Sequence, residues 1–404
     1  MMGTDMNRPG EILSEQRHLG ALGERLWRRA ALVGVAALAV SVALAAATPG
    51  GWHRFFFAYL VAFAYVLSLA LGSLYFVILH HLTNAGWSVV VRRIAEAFAG
   101  TLPFMAVLAL PLLVGIRELY PWASGTAGHL AHGKAVYLSV PFCVARWVVY
   151  LGVWTLMARF FVGRSIEQDA SGEPSLSVSM KRLSAPAMLA LAATLSFAAF
   201  DLLMSLDPGW TSTIFGVYYY AGCAVAVYAL LPVSAFSLQR AGLLRGSVTV
   251  EHYHDLGKLL FGFVVFWAYI AFSQLMLQWY ANIPEETHWF VARQNHGWGW
   301  VGLVLIFGHF LLPFLALLSR APKRRPAVLA VAAGWLLVMH LVDLYWLVMP
   351  AGSPSDAVPR LVDVTTFIGL AGLLVALAAF VVRGRALVPE RDPRLAESLS
   401  FENA

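Results

Sequence analysis

Residues 327–348 read AVLAVAAGWLLVMHLVDLYWLV, an apolar run interrupted by one histidine and one aspartate. A helix needs about 20 mostly apolar residues to cross the hydrocarbon core of a bilayer, so this stretch is long enough to span a membrane. Nine other stretches share its character, and together the ten occupy residues 30–48, 55–80, 94–115, 135–160, 184–205, 213–238, 257–280, 297–318, 327–348 and 362–382. Because main-chain polar groups in lipid must be satisfied within the segment, all ten are predicted to be helices. The sequence therefore predicts an all-α polytopic membrane protein.

The composition excludes a soluble protein, and the cysteine content limits which cofactors the chain can hold. Of 404 residues, 60% are hydrophobic and only 12% are charged, whereas soluble domains carry about 25% charged residues. The net charge of +6 is spread over short loops, so no nucleic-acid partner is expected. The two cysteines, Cys143 and Cys223, lie inside apolar stretches and form no Cys-x-x-Cys motif. We therefore expect no covalently attached haem and no iron–sulfur cluster on this chain.

The distribution of lysine and arginine predicts the orientation in the membrane. The even-numbered gaps between stretches carry Arg92, Arg93, Arg159, Arg164, Lys181, Arg182, Arg240, Arg245, Lys258, Arg320, Lys323, Arg324 and Arg325. The odd-numbered gaps carry Arg54, Arg117, Lys134, Arg293 and Arg360. Basic loops remain in the cytoplasm, so both termini are predicted to be cytoplasmic. The longest cytoplasmic gap, residues 162–183, is predicted to be a flexible connector, and the polar tail after Arg385 is predicted to be mobile.

A weak internal repeat predicts how the helices are grouped. Asp201 and Asp343 each lie near the end of an apolar stretch, each precede a leucine, and each have a proline seven residues on. The pattern predicts a parallel duplication, since a four-helix unit begins and ends on the same side of the membrane. The alternative is chance similarity between apolar helices. The predicted units are a cytoplasmic segment 1–29, a peripheral helix 30–54, two four-helix bundles at 55–205 and 206–350, a peripheral helix 351–385 and a cytoplasmic tail 386–404.

Ionisable groups within the apolar stretches are the candidate functional residues. A charged side chain at the centre of a membrane helix costs about 2.5–3.5 kcal/mol, and such groups usually face the interior of a bundle or mark a proton path. The candidates for a proton path are His80, Glu96, Arg146, Asp201, Asp207, Lys258, Tyr269, His309, His340 and Asp343. The alternative is a structural role: an ion pair between Arg146 and Asp201, hydrogen-bonded core histidines, and an Asp343 bonded to a neighbouring tyrosine or tryptophan.

The second bundle offers the more continuous path. At about 1.5 Å per residue, Lys258 lies near the cytoplasmic face, His309 and His340 lie near mid-membrane, and Asp343 lies toward the outside. His340 and Asp343 are three residues apart and share one helix face. The whole span is too long for direct transfer, so waters and hydroxyls such as that of Tyr269 would have to bridge it.

Histidine spacing raises two alternatives that the sequence does not favour. A single haem between His309 and His340 would make the chain a b-type cytochrome, but the histidine ligand set is incomplete. His129 and His132 in the outer loop form only a weak metal pattern. We therefore predict neither haem nor metal on this chain.

Two surface features remain. Glu285 and Glu286 form an acidic outer patch, which is either a solvated loop or a docking surface for a partner protein. The aromatic residues Tyr218, Tyr219, Tyr220, Trp298 and Trp300 are predicted to belong to an interfacial belt.

Two regions of sequence resemble a known family. The first is FDLLMSLDPGWTSTIFGVYYYAG at residues 200–222. The second comprises DLGKLLF at 255–261, FWAYIAFSQ at 266–274 and WYANIPEET at 279–287. Together they resemble the second large membrane subunit of bacterial alternative complex III, a quinol:cytochrome c oxidoreductase. That family is similar to the membrane subunit of polysulfide reductase.

The resemblance implies a respiratory role for the chain. It implies paired four-helix bundles in a bacterial inner membrane, a homologous quinol-binding membrane subunit as partner, and haem c and iron–sulfur centres on other subunits. It implies a subunit that supports quinol-side assembly and conducts protons, with quinone or quinol as its one candidate ligand. The competing hypotheses are a stand-alone secondary transporter and a b-type cytochrome subunit. Against transport, no pair of apolar stretches is interrupted by Gly and Pro at matching positions.

Overall fold

All ten apolar stretches form helices in the computed structural model, which describes residues 16–128 and 132–403. The membrane helices are α1 Gly20–Ala47, α2 Gly51–Leu82, α3 Gly86–Val114, α4 Val140–Ser171, α5 Pro174–Leu206, α6 Phe215–Arg240, α7 Val250–Ala281, α8 Trp298–Leu318, α9 Pro326–Gly352 and α10 Leu361–Val381. The described residues contain no β-strand. The chain is therefore an all-α polytopic membrane protein, as predicted.

The helices pack in two rings and one outer pair. Helices α2 to α5 surround one another in the first ring, and α6 to α9 do so in the second. The rings meet where α2 packs against α6 and α9, and where α5 packs against α6. Helices α1 and α10 pack against each other, and α10 also lies against α2. The origin of this arrangement by duplication stays a prediction.

Helix α2 is the central element. Every residue of its most apolar 18-residue segment is buried by protein, whereas only a minority of the corresponding segment is buried in α1, α4 and α7. Gly72 makes this possible on one side, since a Cβ there would lie 2.3 Å from the carbonyl oxygen of Cys223 on α6. Close backbone approach through small residues is the usual way in which membrane helices pack tightly.

The same principle holds α1 against α10. A Cβ on Gly34 would lie 2.9 Å from the carbonyl oxygen of Gly369, and a Cβ on Gly372 would lie 3.1 Å from the carbonyl oxygen of Ala30. In lipid there is no hydrophobic drive between helices, so such close packing supplies the association. The glycines of α1 and α10 therefore explain why the first and last helices pair.

The predicted flexible connector at residues 162–183 is wrong. Helix α4 continues to Ser171 and α5 begins at Pro174, so that the connection is only Gly172 and Glu173. Gly172 adopts φ +71°, and its N–H donates to the carbonyl of Gln168 at 2.8 Å, which ends α4. Hydropathy detects only the part of a helix that lies in lipid, and it misses polar helical turns beyond the membrane.

The C-terminal tail is not mobile, contrary to the prediction. The N–H of Leu387 donates to the carbonyl of Arg17 at 2.7 Å, so that the two described ends of the chain lie on one face. Asp392 forms an ion pair with Arg92, and both side chains are fully buried. Pairing lowers the cost of burying both charges, so the tail is held in place by electrostatics as well as packing.

We expect the Asp392→Asn substitution to release the tail, because it leaves the buried guanidinium of Arg92 with less compensation. Burial is the largest single influence on the Asp392 carboxyl and opposes its ionisation, but the charge and hydrogen bond of Arg92, together with the hydrogen bond and charge of Arg394, outweigh burial and hold its pKa below the usual value. A lowered pKa means that this carboxylate stabilises docking fully at neutral pH and loses its effect as the pH falls through that lowered value. Hydrogen exchange of residues 387–399 measures the release, and Glu390→Gln is the exposed control. Unchanged exchange in Asp392→Asn would refute the ion-pair account.

The short connection between α4 and α5 gives a test of orientation. Glu173 is exposed, so a cysteine there should react with an impermeant thiol reagent only after the membrane is permeabilised. A cysteine at exposed Glu285, predicted to lie on the opposite side, should react in intact cells. The native Cys143 and Cys223 are buried and give a low background. The reverse labelling pattern would invert the predicted topology.

Candidate buried polar site

Asp343 lies in the second ring and is held by neutral donors. The residue sits on α9 and is 1% exposed. Its Oδ1 accepts a hydrogen bond from the Tyr218 hydroxyl of α6 at 2.5 Å, and its Oδ2 accepts one from the Trp267 indole N–H of α7 at 3.2 Å. Among the described residues, no lysine, arginine or histidine forms an ion pair with it. The structural alternative for Asp343 is a hydrogen bond to a neighbouring tyrosine or tryptophan, and the structure shows one hydrogen bond to each.

Asp201, at the corresponding position of the first ring, has different partners. Two nitrogens of Arg146 donate to its two carboxylate oxygens, each at 2.8 Å. The Tyr150 hydroxyl donates to the same carboxylate at 3.0 Å. Arg146 also stacks over the Tyr137 ring, with 3.7 Å from its guanidinium carbon to the ring centroid. The expected ion pair between α4 and α5 is confirmed, and its two-pronged geometry is the stronger form of such a contact.

The two aspartates therefore differ in the property that matters for proton exchange. Both carboxylate oxygens of Asp201 are held by the guanidinium of Arg146, and loss of that contact would leave a largely buried cation unpaired. A carboxyl that meets only a phenol and an indole has no such constraint and can exist in either form. Asp343 is thus the better candidate for a group that accepts and releases a proton.

The two mid-membrane histidines lie near Asp343. His340 is one turn from Asp343 on α9, and its Nε2 lies 2.8 Å from the Ser68 hydroxyl of α2. The ring of His309 lies 3.9 Å, centroid to centroid, from that of Trp267, which is itself a donor to Asp343. Both histidines are fully buried, and neither nitrogen of His309 has a hydrogen-bond partner in the part of the chain that is described. Asp343 and His340 of α9 and His309 of α8 thus form one buried cluster with partners on α2, α6 and α7.

The candidates on the side predicted to be cytoplasmic have structural partners. Glu96 is fully buried between Arg92 and Arg93, with ion-pair distances of 3.3 Å and 3.2 Å. The ring of His80 stacks on that of Phe76 at 3.8 Å between centroids, and its Nδ1 lies 2.7 Å from the Phe76 carbonyl oxygen. Neither group joins the buried cluster of Asp343.

Lys258 and Tyr269 of α7 also lie apart from the buried cluster of Asp343. The Lys258 ammonium pairs with Asp255 and donates to the Asn403 side chain of the docked tail at 2.8 Å. Tyr269 is 64% exposed on the outer surface of the helix bundle. It does not face the interior, so the hydroxyl that sequence reasoning offered as a bridge points away from the buried groups.

The outer-surface candidates are solvated. Asp207 pairs with His288 at 2.8 Å, and both side chains are partly exposed. Glu285 and Glu286 occupy the first turn of the short helix Pro284–Ala292, where carboxylates complement the helix dipole. Their predicted docking role stays a prediction.

The metal pattern of the outer loop falls partly beyond the residues described, since these exclude His129. Across 16–128 and 132–403, no group of three or more His, Cys, Asp or Glu side chains is arranged to hold a metal ion.

Sequence reasoning missed Tyr218, Trp267 and Ser68, which are the partners of Asp343 and His340. It placed Tyr218, Tyr219 and Trp298 in an interfacial belt, but these side chains are only 4%, 2% and 0% exposed. The available signal was chemical: a buried carboxyl requires donors, and tyrosine or tryptophan on a facing helix can supply them.

The described part of the chain is thus a polytopic membrane protein with ten membrane-length helices and a buried cluster of ionisable side chains in its second ring. No family model matches the sequence, and no curated protein matches it.

Proposed function

We propose that the chain is an integral membrane subunit of a bacterial quinol:electron-acceptor oxidoreductase similar to alternative complex III. It supplies assembly surface for its partners and a proton path through its second ring. The partners are a homologous quinol-binding membrane subunit and subunits that carry haem c and iron–sulfur centres. The chain itself holds no redox centre in this proposal.

The observation that carries the proposal is the environment of Asp343. The side chain is buried and meets only Tyr218 and Trp267, while its repeat counterpart Asp201 is paired with Arg146. An ionisable group is costly in a membrane protein and is normally kept for a reason. Asp201 already has a structural reason in its ion pair. Asp343 is hydrogen-bonded to two neutral donors but has no cationic partner among the described residues, so its contacts do not require a fixed charge, which supports a role in moving protons.

Further polar groups extend from Asp343 toward the predicted cytoplasmic face. His340 and Ser68 follow at mid-membrane and are hydrogen-bonded to each other. The Tyr228 hydroxyl of α6 and the Ser73 hydroxyl of α2 are buried and lack hydrogen-bond partners within the described ranges. Tyr228 lies ten residues beyond Tyr218 along α6, which is about 15 Å of helix. Buried hydroxyls at these intervals suit a path in which waters carry the proton between side chains.

The separate roles proposed for this chain and its partner subunits follow from the chemistry of quinol oxidation. Oxidation of one quinol to quinone releases two electrons and two protons. In this proposal the electrons pass to centres on partner subunits, and the protons leave through protonatable groups. A chain with histidine, aspartate and hydroxyl groups but no haem ligand set can serve the second task.

Purification tests this function. We expect the tagged full-length chain, extracted gently from native membranes, to co-purify with subunits that show c-type haem absorption and iron–sulfur signals. After dissociation of the complex, the isolated chain should show no Soret band. A solitary chain that catalyses solute transport would overturn the proposal in favour of a transporter. A Soret band on the isolated chain, lost in His309→Ala or His340→Ala, would assign it as a b-type cytochrome.

A further inference from the structure

A cavity of about 560 Å³ lies between α7 and α8, below the segment that connects them. Its volume falls within the range of about 300–1,000 Å³ that is typical of sites for small molecules. The wall is almost entirely apolar or aromatic, with contributions from Ala268, Ala271, Leu303, Ile306 and Phe310. Leu303 and Ile306 are 42% and 55% exposed. Lining residues this exposed indicate that the cavity opens at the surface of the helix bundle.

One end of this cavity carries a buried cation. Arg293 lines the cavity and is only 6% exposed. Its guanidinium donates to the main-chain carbonyls of Trp346, Trp289 and Leu347, at distances of 3.2, 3.0 and 2.8 Å. It also lies 3.3 Å from the Trp289 ring centroid. The three hydrogen bonds use three of the five N–H donors of an arginine.

The charge of Arg293 is not compensated by the protein. Within the described parts of the chain, no carboxylate forms an ion pair with it. Burial without such a partner lowers the pKa of the guanidinium to about 9, and Asp207 only partly opposes the effect. At neutral pH the group therefore remains a cation. A buried cation of this kind is stabilised strongly by an anion brought to it.

The level of Arg293 matches that of lipid headgroups. Trp279, Tyr280 and Trp300 flank the same end of α7 and α8 and are 72%, 87% and 74% exposed. Exposed tryptophan and tyrosine mark the boundary between headgroups and hydrocarbon. From Trp279 to Trp267, which lines the cavity, α7 descends twelve residues, or about 18 Å. The cavity thus runs from the headgroup level into the hydrocarbon core.

We propose that this cavity binds one anionic phospholipid, with its phosphate against Arg293 and an acyl chain between α7 and α8. The positive charge of Arg293 at one end of the cavity favours an anionic headgroup, and the apolar wall favours an acyl chain. The Tyr218 hydroxyl and the Trp267 indole, which also line the cavity, already donate to Asp343. They are thus committed within the protein, which leaves Arg293, Gln274 and Gln294 as the other polar residues of the cavity, and Arg293 is the one that carries a charge. This site goes beyond the respiratory role proposed above and does not depend on it.

Lipid retention tests the proposal on the full-length chain. The protein is delipidated in detergent and mixed with equal amounts of palmitoyl-oleoyl phosphatidylglycerol and phosphatidylcholine, and retained lipid is counted by native mass spectrometry. We expect one phosphatidylglycerol to be retained, with at least about tenfold preference over phosphatidylcholine, which corresponds to about 1.4 kcal/mol. A phosphatidylglycerol with a photoreactive acyl chain should crosslink to residues of α7 and α8 that line the cavity, within 267–310.

Two variants and two matched controls assign the site. Arg293→Gln should abolish the preference for the anionic lipid. Gly302→Leu should fill the cavity and abolish retention without touching Arg293, because a Cβ at Gly302 meets only the Trp346 indole at an ordinary 3.7 Å. Gly262→Leu places the same side chain on an open part of α7, where a Cβ meets nothing within 4 Å. Lys323→Gln removes another buried cation, one bonded to the carbonyls of Leu317 and Leu318. Both controls should retain the lipid as the wild type does.

Four outcomes would overturn the proposal. They are equal retention of the two lipids by the wild type, full retention by Gly302→Leu, a crosslink confined to residues that do not line the cavity, and displacement of phosphatidylglycerol by an equal concentration of ubiquinone or menaquinone. The last would assign the cavity to a quinone. If Arg293→Gln does not fold, the wild-type preference and the Gly302→Leu result still decide the matter.

Discussion

Replacement of Asp343 by asparagine should lower quinol oxidation and proton translocation by about 100-fold in membranes that contain a normally assembled complex, the usual effect of removing a positioned acid–base group. The amide has nearly the same shape and can still accept a hydrogen bond from Tyr218, but it cannot take up and release a proton. Both rates are measured with the same quinol in closed vesicles, after blotting shows equal amounts of complex. Wild-type values for both would mean that α9 carries no essential proton path.

A control separates proton exchange from packing in this experiment. An asparagine amide cannot accept both hydrogen bonds of the carboxylate, so Asp343→Asn also deprives the Trp267 indole of its acceptor. Trp267→Phe removes that same hydrogen bond and leaves the carboxyl in place. If the aspartate conducts protons, Trp267→Phe should retain most of the activity. If Trp267→Phe is as damaging as Asp343→Asn, the carboxylate acts by positioning its neighbours.

Replacement of Asp201 by asparagine should destabilise the protein by about 3–5 kcal/mol, the usual cost of removing one partner from a buried ion pair. The carboxylate is fully buried and Arg146 is only 11% exposed, so the remaining guanidinium would be left largely without compensation. Thermal unfolding of the purified chain in detergent measures the loss. Because α4 and α5 are joined through this pair, the amount of assembled complex in the membrane should fall as well.

Two comparisons make the Asp201 result specific. Glu167→Gln breaks the exposed pair with Arg164, where the side chains are 53% and 43% exposed, and it should change stability by less than about 1 kcal/mol. The double variant Arg146→Leu with Asp201→Leu removes both charges and should recover most of the loss. A double variant as unstable as the sum of the two single variants would contradict coupling between these residues.

The ten helices were predictable because spanning a bilayer sets a length and an apolarity that each stretch must meet on its own. The Arg146–Asp201 pair was predictable for a similar reason, since depth along a helix follows directly from residue count. The partners of Asp343 were not predictable in this way. Whether Tyr218 or Tyr269 faces the interior depends on the rotation of each helix about its own axis, and a helix that is apolar on all sides leaves that rotation unspecified.

The errors at the ends of the helices have a different cause. The turns around Gly172 are polar and leave the membrane, so hydropathy does not register them as helix. The docked tail depends on Asp392 meeting Arg92 across 300 positions of sequence, and no local pattern connects the two. A polar segment with no apolar face resembles a mobile tail until its buried ion pair is known.

The burial of α2 has a consequence for how the protein is made. The helix is nearly all apolar, yet in the finished fold its central segment contacts only other helices. Its neighbours α5, α6, α9 and α10 are all synthesised after it. During synthesis α2 therefore first resides in the membrane with only α1 beside it, and it is enclosed when the later helices arrive. The sequence of α2 must therefore suit lipid first and the protein interior later. A polar substitution on α2 that the finished core tolerates should still reduce insertion of this helix into the membrane.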